Sequence, residues 1–405
     1  MILNNTFQNL RKKGFPSLVK AVLSRLFRPI DRLIILLFRF TTKIKDNYIV
    51  LESEGDFTDN IRAFYDYLLE NEYNKQYRLI WIVHEPSKYP SHNNVVFISR
   101  HKLINIKADY YTTVAKFFLF SHPYWFKKTR QEQIVINTTH SVSQLKAPTF
   151  QLKCVPFDYL LVCSKYCGIV KQKAFSIDDE SLLIFGMPRI DILFKDNQYV
   201  KRMLPHYSGQ KIVLSMETFK QSHEWSDSDG SDPYAMNVIQ DEESIKRLDD
   251  FLTSNNIILI NKIHHLQDMT FIKQVQLKSI FYITDDYLSK CDIQSNHLLS
   301  VADVLLTDYS SVFYEYLLLD KPIGFLIGDL ENYKRGFIME DPLAAMPGSK
   351  IRSLEDLLTF LTETQCGQDR FSTDRIAVRD KVFKYCDSYN SKRLINWIES
   401  RRFNT

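Results

Sequence analysis

The chain predicts an α/β protein of two domains, each a parallel sheet covered by helices on both faces. Three observations carry this prediction. From residue 48 onward, short apolar runs alternate with helical stretches, and a strand that is apolar throughout is one buried on both faces. At 405 residues the chain is longer than a single hydrophobic core usually serves. A polar stretch at 195–210 (KDNQYVKRMLPHYSGQ), holding Pro205 and Gly209, interrupts the alternation and reads as a link.

In chain order, the predicted strands before the link are 48–52 (YIVLE), 79–83 (LIWIV), 95–98 (VVFI), 117–120 (FFLF), 134–137 (IVIN), 159–162 (YLLV) and 182–185 (LLIF). After it come 212–215 (IVLS), 257–261 (IILIN), 280–283 (IFYI), 304–307 (VLLT) and 323–326 (IGFL). Each is rich in branched and aromatic residues, which suit a pleated, packed surface. The expected division is residues 1–45, a basic amphipathic segment; 46–205, an N-terminal domain; 206–385, a C-terminal domain; and 386–405, a closing helix. Two such domains facing across a cleft would bring strand C-terminal ends, where open α/β sheets bind ligands, to the crevice. Residues 225–232 (WSDSDGSD) read as a loop, and Asp232 stands where a calcium loop needs glycine.

Composition narrows the class. Hydrophobic residues at 45% and charged residues at 25% are ordinary for a globular protein. Cysteines at 154, 163, 167, 291, 366 and 386 show no C-x-x-C spacing, which suits a reducing compartment, and Cys163 and Cys167 read as buried thiols. No secretory signal with a cleavage site is visible. Net charge is +4, unevenly placed: residues 1–45 carry ten Lys and Arg against Asp31, so the remainder sums to −5. Residues 17–40 interleave those cations with apolar residues, and the longest uncharged run, 33–38, is far short of the roughly 18 needed to span a bilayer. The expectation is a basic amphipathic helix, interrupted near Pro29, on an anionic membrane surface. The alternative is a helix packed on the body of the protein with a solvated basic face. The apolar content argues against a nucleic-acid arm.

Residues 302–326 (ADVLLTDYSSVFYEYLLLDKPIGFL) carry the strongest chemical signal. A buried strand runs into the polar turn Asp308-Tyr309-Ser310-Ser311, and a helix is expected to start on the serines. Such a junction aims free backbone N–H groups and two hydroxyls at one spot, which suits a phosphate; the plain alternative is an N-cap. The familiar phosphate devices are absent, with no G-x-x-x-x-G-K-[ST] and no G-x-G-x-x-G, and H-E-x-x-H and G-x-S-x-G are missing too. Other polar clusters follow strands. His140 lies in Thr138-Thr139-His140-Ser141, and His264 in Lys262-Ile263-His264-His265. An imidazole titrates near neutrality, so it can take a hydroxyl proton or, protonated, neutralise a phosphate oxygen. Arg189, in the turn 186–191 (GMPRID), would clamp a phosphate or pair with Asp191. Thr218 follows strand 212–215, and Lys334-Arg335-Gly336-Phe337 is a basic turn placed to close over an anion.

The order of these motifs resembles the CDP-glycerol:poly(glycerophosphate) glycerophosphotransferase family, of the teichoic-acid and capsule type. The family segment INTWHGTPLKK is matched by INTTHSVSQLK at 136–146, and G-Y-P-R-N-D by GMPRID at 186–191. T-[FW]-R is matched at 218–220, K-x-H-P at 262–265, and R-G-F at 335–337. The block T-D-Y-S-S…L-D-K-P is matched at 307–322 almost residue for residue. Residues 49–60 and 341–348 are also similar, so the resemblance runs over about 47–385 in order. It implies a GT-B-like pair of Rossmann-type domains, a CDP-activated polyol phosphate donor and membrane association, and the basic N-terminal face adds the expectation of a lipid-linked acceptor and a peripheral seat on the cytoplasmic face of the membrane; no cofactor, metal or nucleic acid is expected. Carried over, His140 and His264 are the expected catalytic residues, His140 as the base and His264 at the donor phosphates. Arg189, Thr218, Lys262, Asp308, Ser310, Ser311, Glu315, Lys334 and Arg335 are the expected donor-binding residues.

The chain departs from the pattern in places. Thr139 stands for Trp, Ser141 for Gly, Glu217 for the usual Pro and His265 for the Pro of K-x-H-P, and one residue is inserted before Leu145. These changes bear on the polyol and acceptor more than on the reaction type. A GT-B glycosyltransferase using a nucleotide sugar, and a catalytically silent assembly partner, are the competing readings.

Overall fold

The computed structural model describes residues 29–403 except 31, 101–103, 123–127, 144, 147–155, 219–233, 264–271, 334–335 and 339. His264, Lys334, Arg335 and the loop at 225–232 therefore lie outside the described residues, as do residues 1–28 of the basic segment.

The described strands are β1 (Lys45–Glu52), β2 (Arg78–Val83), β3 (Val95–Ser99), β4 (Ala115–Phe120), β5 (Ile134–Asn137), β6 (Tyr159–Val162), β7 (Leu182–Ile184), β8 (Lys211–Ser215), β9 (Ile257–Lys262), β10 (Ile280–Ile283), β11 (Val304–Thr307), β12 (Ile323–Leu326) and β13 (Ser349–Ile351). Between them run helices α1 (32–41), α2 (Asp59–Glu70), α3 (Ile106–Val114), α4 (Lys165–Phe175), α5 (Gln198–Lys201), α6 (Glu242–Ser254), α7 (Asp285–Lys290), α8 (Ser295–Val301), α9 (Val312–Tyr316), α10 (Leu354–Gln365), α11 (Ser372–Val382) and α12 (Asn390–Ser400). Every predicted strand is present, most within a residue or two of its expected ends. Strand β13 (SKI) was not predicted, because a three-residue run with a lysine at its centre carries no apolar signal.

The strands form two sheets, in the orders β3-β2-β1-β4-β5-β6-β7 and β10-β9-β8-β11-β12-β13. The first six strands of the first sheet and all six of the second follow the doubly wound order 3-2-1-4-5-6, and the recorded ladders are parallel. The chain divides into two compact units, one of residues 1–138, 155–160 and 394–405, the other of 139–154 and 161–393.

In the first unit, Val50, Ile80, Ile82, Phe118 and Val135 build a core with Ala108 and Tyr111 of α3. Helix α1 docks there through Phe38, whose carbonyl accepts from Arg130 at 2.9 Å and whose ring meets Tyr110 edge-on. In the second unit, neighbouring residues along each strand enter opposite cores. Leu214, Ile258, Ile260, Leu305 and Phe325 pack on one side, and Val213, Ile257, Leu259, Val304, Leu306 and Leu326 on the other. This sheet is buried on both faces, which is why its strands read as unbroken apolar runs.

Candidate functional site

In a doubly wound sheet the strand order reverses between the first and fourth strands, and the loops leaving those strands diverge to open a ligand site. In the second unit these are β8 and β11. Met216, Glu217 and Thr218 leave the first, and Asp308 to Ser311 leave the second. The two loops are joined: the Met216 amide donates to Leu306 O at 2.9 Å and Thr307 Oγ1 to Met216 O at 2.7 Å.

Asp308 organises the junction. Its side chain is fully buried, and Oδ1 accepts from Thr218 N at 3.0 Å, Thr218 Oγ1 at 3.0 Å and Ser310 N at 2.9 Å. Its other oxygen, Oδ2, is buried with no hydrogen-bond partner among the described residues. The Thr218 hydroxyl also accepts from Lys146 Nζ at 2.6 Å, so it links a cation to the Asp308 carboxylate. Lys146 is placed by an antiparallel bridge between its backbone and Phe337. Phe337 belongs to an aromatic cluster with Tyr309 and Tyr333, their ring centroids 4.5–5.2 Å apart. Burial and the neighbouring Asp329 hold the Tyr309 phenol well above its ordinary pKa, so it stays a neutral donor to Asp329 Oδ1 at 3.1 Å.

Ser311 is the N-cap of α9, yet its side chain makes no capping bond. The helix is five residues long before it tightens into a 3-10 turn at Leu317–Leu319, so only a short helix dipole stands behind the serines. What the junction provides is the two hydroxyls and the turn's backbone amides.

One turn further along α9, Glu315 is 2% exposed. It takes Arg189 through Nε at 3.1 Å and through Nη2, and it accepts from Asn296 Nδ2 at 2.6 Å. Arg189 Nη2 also donates to the His140 carbonyl at 2.6 Å. Of the two partners expected for Arg189, Asp191 is excluded. That carboxylate is taken by Asn390 N, Asn390 Nδ2 and Ser391 N, and burial pushes its pKa up. The turn carrying Arg189 starts at Gly186, whose φ of 82° and position, with Asn390 Oδ1 1.7 Å from where a Cβ would sit, admit only glycine. His140 is itself exposed, between the buried residues Thr139 and Ser141.

The structure thus gathers His140, Arg189 and Glu315 in one hydrogen-bonded chain, and Thr218, Asp308 and Ser310 in another. The second is rooted in the turn between β11 and α9, and the first on α9 itself, one helical turn on. Lys262, at the end of β9, pairs instead with Asp285 of α7 at 2.7 Å. Sequence reasoning missed Lys146, Lys171 and Asn296. Lys146 lay inside a quoted motif, whereas a lysine or asparagine on a short helix carries no pattern that separates it from a solvated one. Among the described residues no group of His, Cys, Asp and Glu could hold a metal. Cys163 and Cys167 are buried, and burial raises both thiols.

Known proteins resemble this chain in sequence and in fold. The chain is 26% identical over 375 residues to a teichoic acid poly(glycerol phosphate) polymerase of Bacillus spizizenii, covering 85% of this chain and 89% of that one. It is 30% identical over 259 residues to a teichoic acid glycerol-phosphate primase of Bacillus subtilis, covering 62% and 60% respectively. Its fold matches that of the wall teichoic acid polymerase TagF with a TM-score of 0.71 at 20% identity, over 96% of this chain and 98% of that structure. One of the matching TagF structures is a histidine-to-asparagine variant soaked with CDPG. The fold is accordingly GT-B-like. The model of the CDP-Glycerol:Poly(glycerophosphate) glycerophosphotransferase family matches residues 34–400, and the chain belongs to that family.

Proposed function

We propose that this chain transfers a polyol phosphate, glycerol phosphate first among the candidates, from a CDP-activated donor to a hydroxyl of a lipid-linked glycan or polyol-phosphate acceptor. The product is a teichoic-acid-like wall or capsular polymer. The observation that carries the reading is the pair of hydrogen-bonded chains that end on consecutive parts of the β11–α9 segment. His140 is held through Arg189 to Glu315, and Lys146 and Thr218 meet the Asp308–Ser310 turn beside it in sequence.

The acceptor oxygen attacks the distal phosphorus of the donor. A new P–O bond forms, the diphosphate P–O bond breaks, and CMP leaves with the electron pair. His140 takes the hydroxyl proton. The Ser310 and Ser311 hydroxyls and Lys146, with His264, Lys334 and Arg335, offset the phosphate charge, and Glu315 acts through Arg189. Positioning and electrostatics carry most of the acceleration in such a transfer.

A peripheral seat on the cytoplasmic face of the membrane fits helix α1 and the residues before it. Ile30, Leu33, Leu37 and Phe40 share one face and are 42%, 66%, 58% and 82% exposed, with Arg32 and Arg39 among them. Among the described residues no helix is long and apolar enough to cross a membrane.

The test is nucleotide release from CDP-glycerol, CDP-ribitol and nucleotide sugars with membrane lipid as acceptor. CMP from one CDP-polyol, reduced at least about a hundredfold in His140→Ala, supports the reading. Turnover only with a nucleotide sugar, releasing UDP or GDP, makes the chain a glycosyltransferase.

A further inference from the structure

We propose that Lys171 is a positioning residue for His140, fixing from within the protein the short loop that carries the imidazole. The inference rests on the reading of His140 as the base. Lys171 lies on α4 and is 1% exposed. Its Nζ donates to Thr139 Oγ1 at 2.7 Å and to the Ser141 carbonyl, the residues on either side of His140. A buried ammonium is costly to desolvate and is tolerated only where hydrogen bonds replace its water. Both of these bonds go to the His140 loop.

Three further observations point the same way. Thr139 has a φ of 51°, a left-handed conformation that is a clear outlier for a β-branched residue and persists only when its surroundings hold it there. Lys171 supplies bonds on both sides of the peptide units concerned. The helix beneath is firmly set, because Ser164 caps it through the Cys167 amide at 3.3 Å and Cys167 is fully buried in the core. Finally, the His140 carbonyl is held by Arg189. Each of residues 139, 140 and 141 is therefore tied to a cation, while the imidazole between them is exposed to solvent.

The Thr139 hydroxyl is also where this chain departs from the family segment, which has Trp at that place. An indole N–H is a donor only and offers an ammonium no lone pair. The Lys171–Thr139 bond thus belongs to this chain's own version of the loop.

The experiment measures steady-state CMP release from CDP-glycerol, and amide hydrogen exchange by mass spectrometry, in full-length wild type, His140→Ala, Lys171→Met, Thr139→Val and Thr139→Ser. The expected result for Lys171→Met is a kcat at least about tenfold lower, a KM for CDP-glycerol within about twofold, and faster exchange confined to residues 134–146. Thr139→Val, which removes the acceptor hydroxyl, reproduces the kcat loss, and Thr139→Ser, which keeps it, restores turnover. Wild-type kcat in Lys171→Met or Thr139→Val, with His140→Ala inactive, overturns the positioning role and leaves the base in place. Wild-type turnover in His140→Ala removes the base and this inference with it. Faster exchange throughout β8 to β12 in Lys171→Met marks a purely structural lysine and also overturns the proposal. Should Lys171→Met fail to fold, the Thr139→Val and Thr139→Ser pair decides alone.

Discussion

Replacing Arg189 by Met removes one half of a buried ion pair and leaves the other half behind. Glu315 is 3% exposed at its side chain and Arg189 14%, so the carboxylate has little water to replace the guanidinium. Among the described residues, Asn296 still donates to it. Breaking such a pair from one side costs about 3–5 kcal/mol, because a buried charge is left uncompensated. For a unit of this size that is a fall in unfolding midpoint of roughly 6–20 °C.

Removing the second charge as well, in Arg189→Met with Glu315→Gln, restores most of that stability, since two neutral side chains of similar shape have little to desolvate. Activity behaves differently. The double variant still lacks the donor to the His140 carbonyl, so its CMP release stays at least about tenfold below wild type. Urea denaturation of wild type, the two single variants and the double variant closes a double-mutant cycle, and CMP release is measured on the same four proteins. Strict additivity of the two stability losses would refute the buried pair. Recovery of turnover in the double variant would show that the carbonyl bond does nothing for His140.

Other expectations follow from the same geometry. Thr218→Val removes the hydroxyl shared by Lys146 and Asp308 and is expected to lower CMP release at least about tenfold, with Thr218→Ser close to wild type; equal rates in both would remove that link from the site. Leu33→Glu with Phe40→Glu is expected to reduce co-sedimentation with anionic liposomes while leaving turnover on a soluble acceptor analogue unchanged. Undiminished sedimentation would assign membrane contact elsewhere. Hydrogen bonds from Arg375 and Arg393 hold Asp369 and Asp387 below the ordinary carboxylate value of 3.8. A carboxylate lowered in the folded state stabilises it above that value, and the contribution is lost as the pH falls through the lowered pKa. Acid titration of the thermal midpoint should therefore steepen below about pH 4, and less so in Asp369→Asn.

The strand pattern was legible because both faces of each sheet are buried. Burial on both faces demands continuous apolar runs, and those runs stand out between polar helices without any tertiary information. The junction at 302–311 was legible for a related reason, as an apolar strand ending in Asp and Ser is a local signal. The ordered motifs carried the family, since the block at 307–322 matches almost residue for residue and the segments around His140 and Arg189, though altered in places, follow in the same order.

What the sequence could not specify is who touches whom. Arg189 stands two residues from Asp191 and 126 from Glu315, yet it pairs with Glu315, because the 3-10 turn after Gly186 commits Asp191 to Asn390 and Ser391. Lys146 reaches Thr218 across 72 residues, and Lys171 reaches Thr139 across 32. Such contacts depend on strand order, and a run of apolar residues specifies that a strand exists but not which neighbour it takes. The sequence by itself therefore determined the elements and the family, and nominated candidate residues for the chemistry. Tertiary structure alone decided which buried cation holds which loop, because a charge withdrawn from water takes the partner that packing brings to it, whatever their separation along the chain.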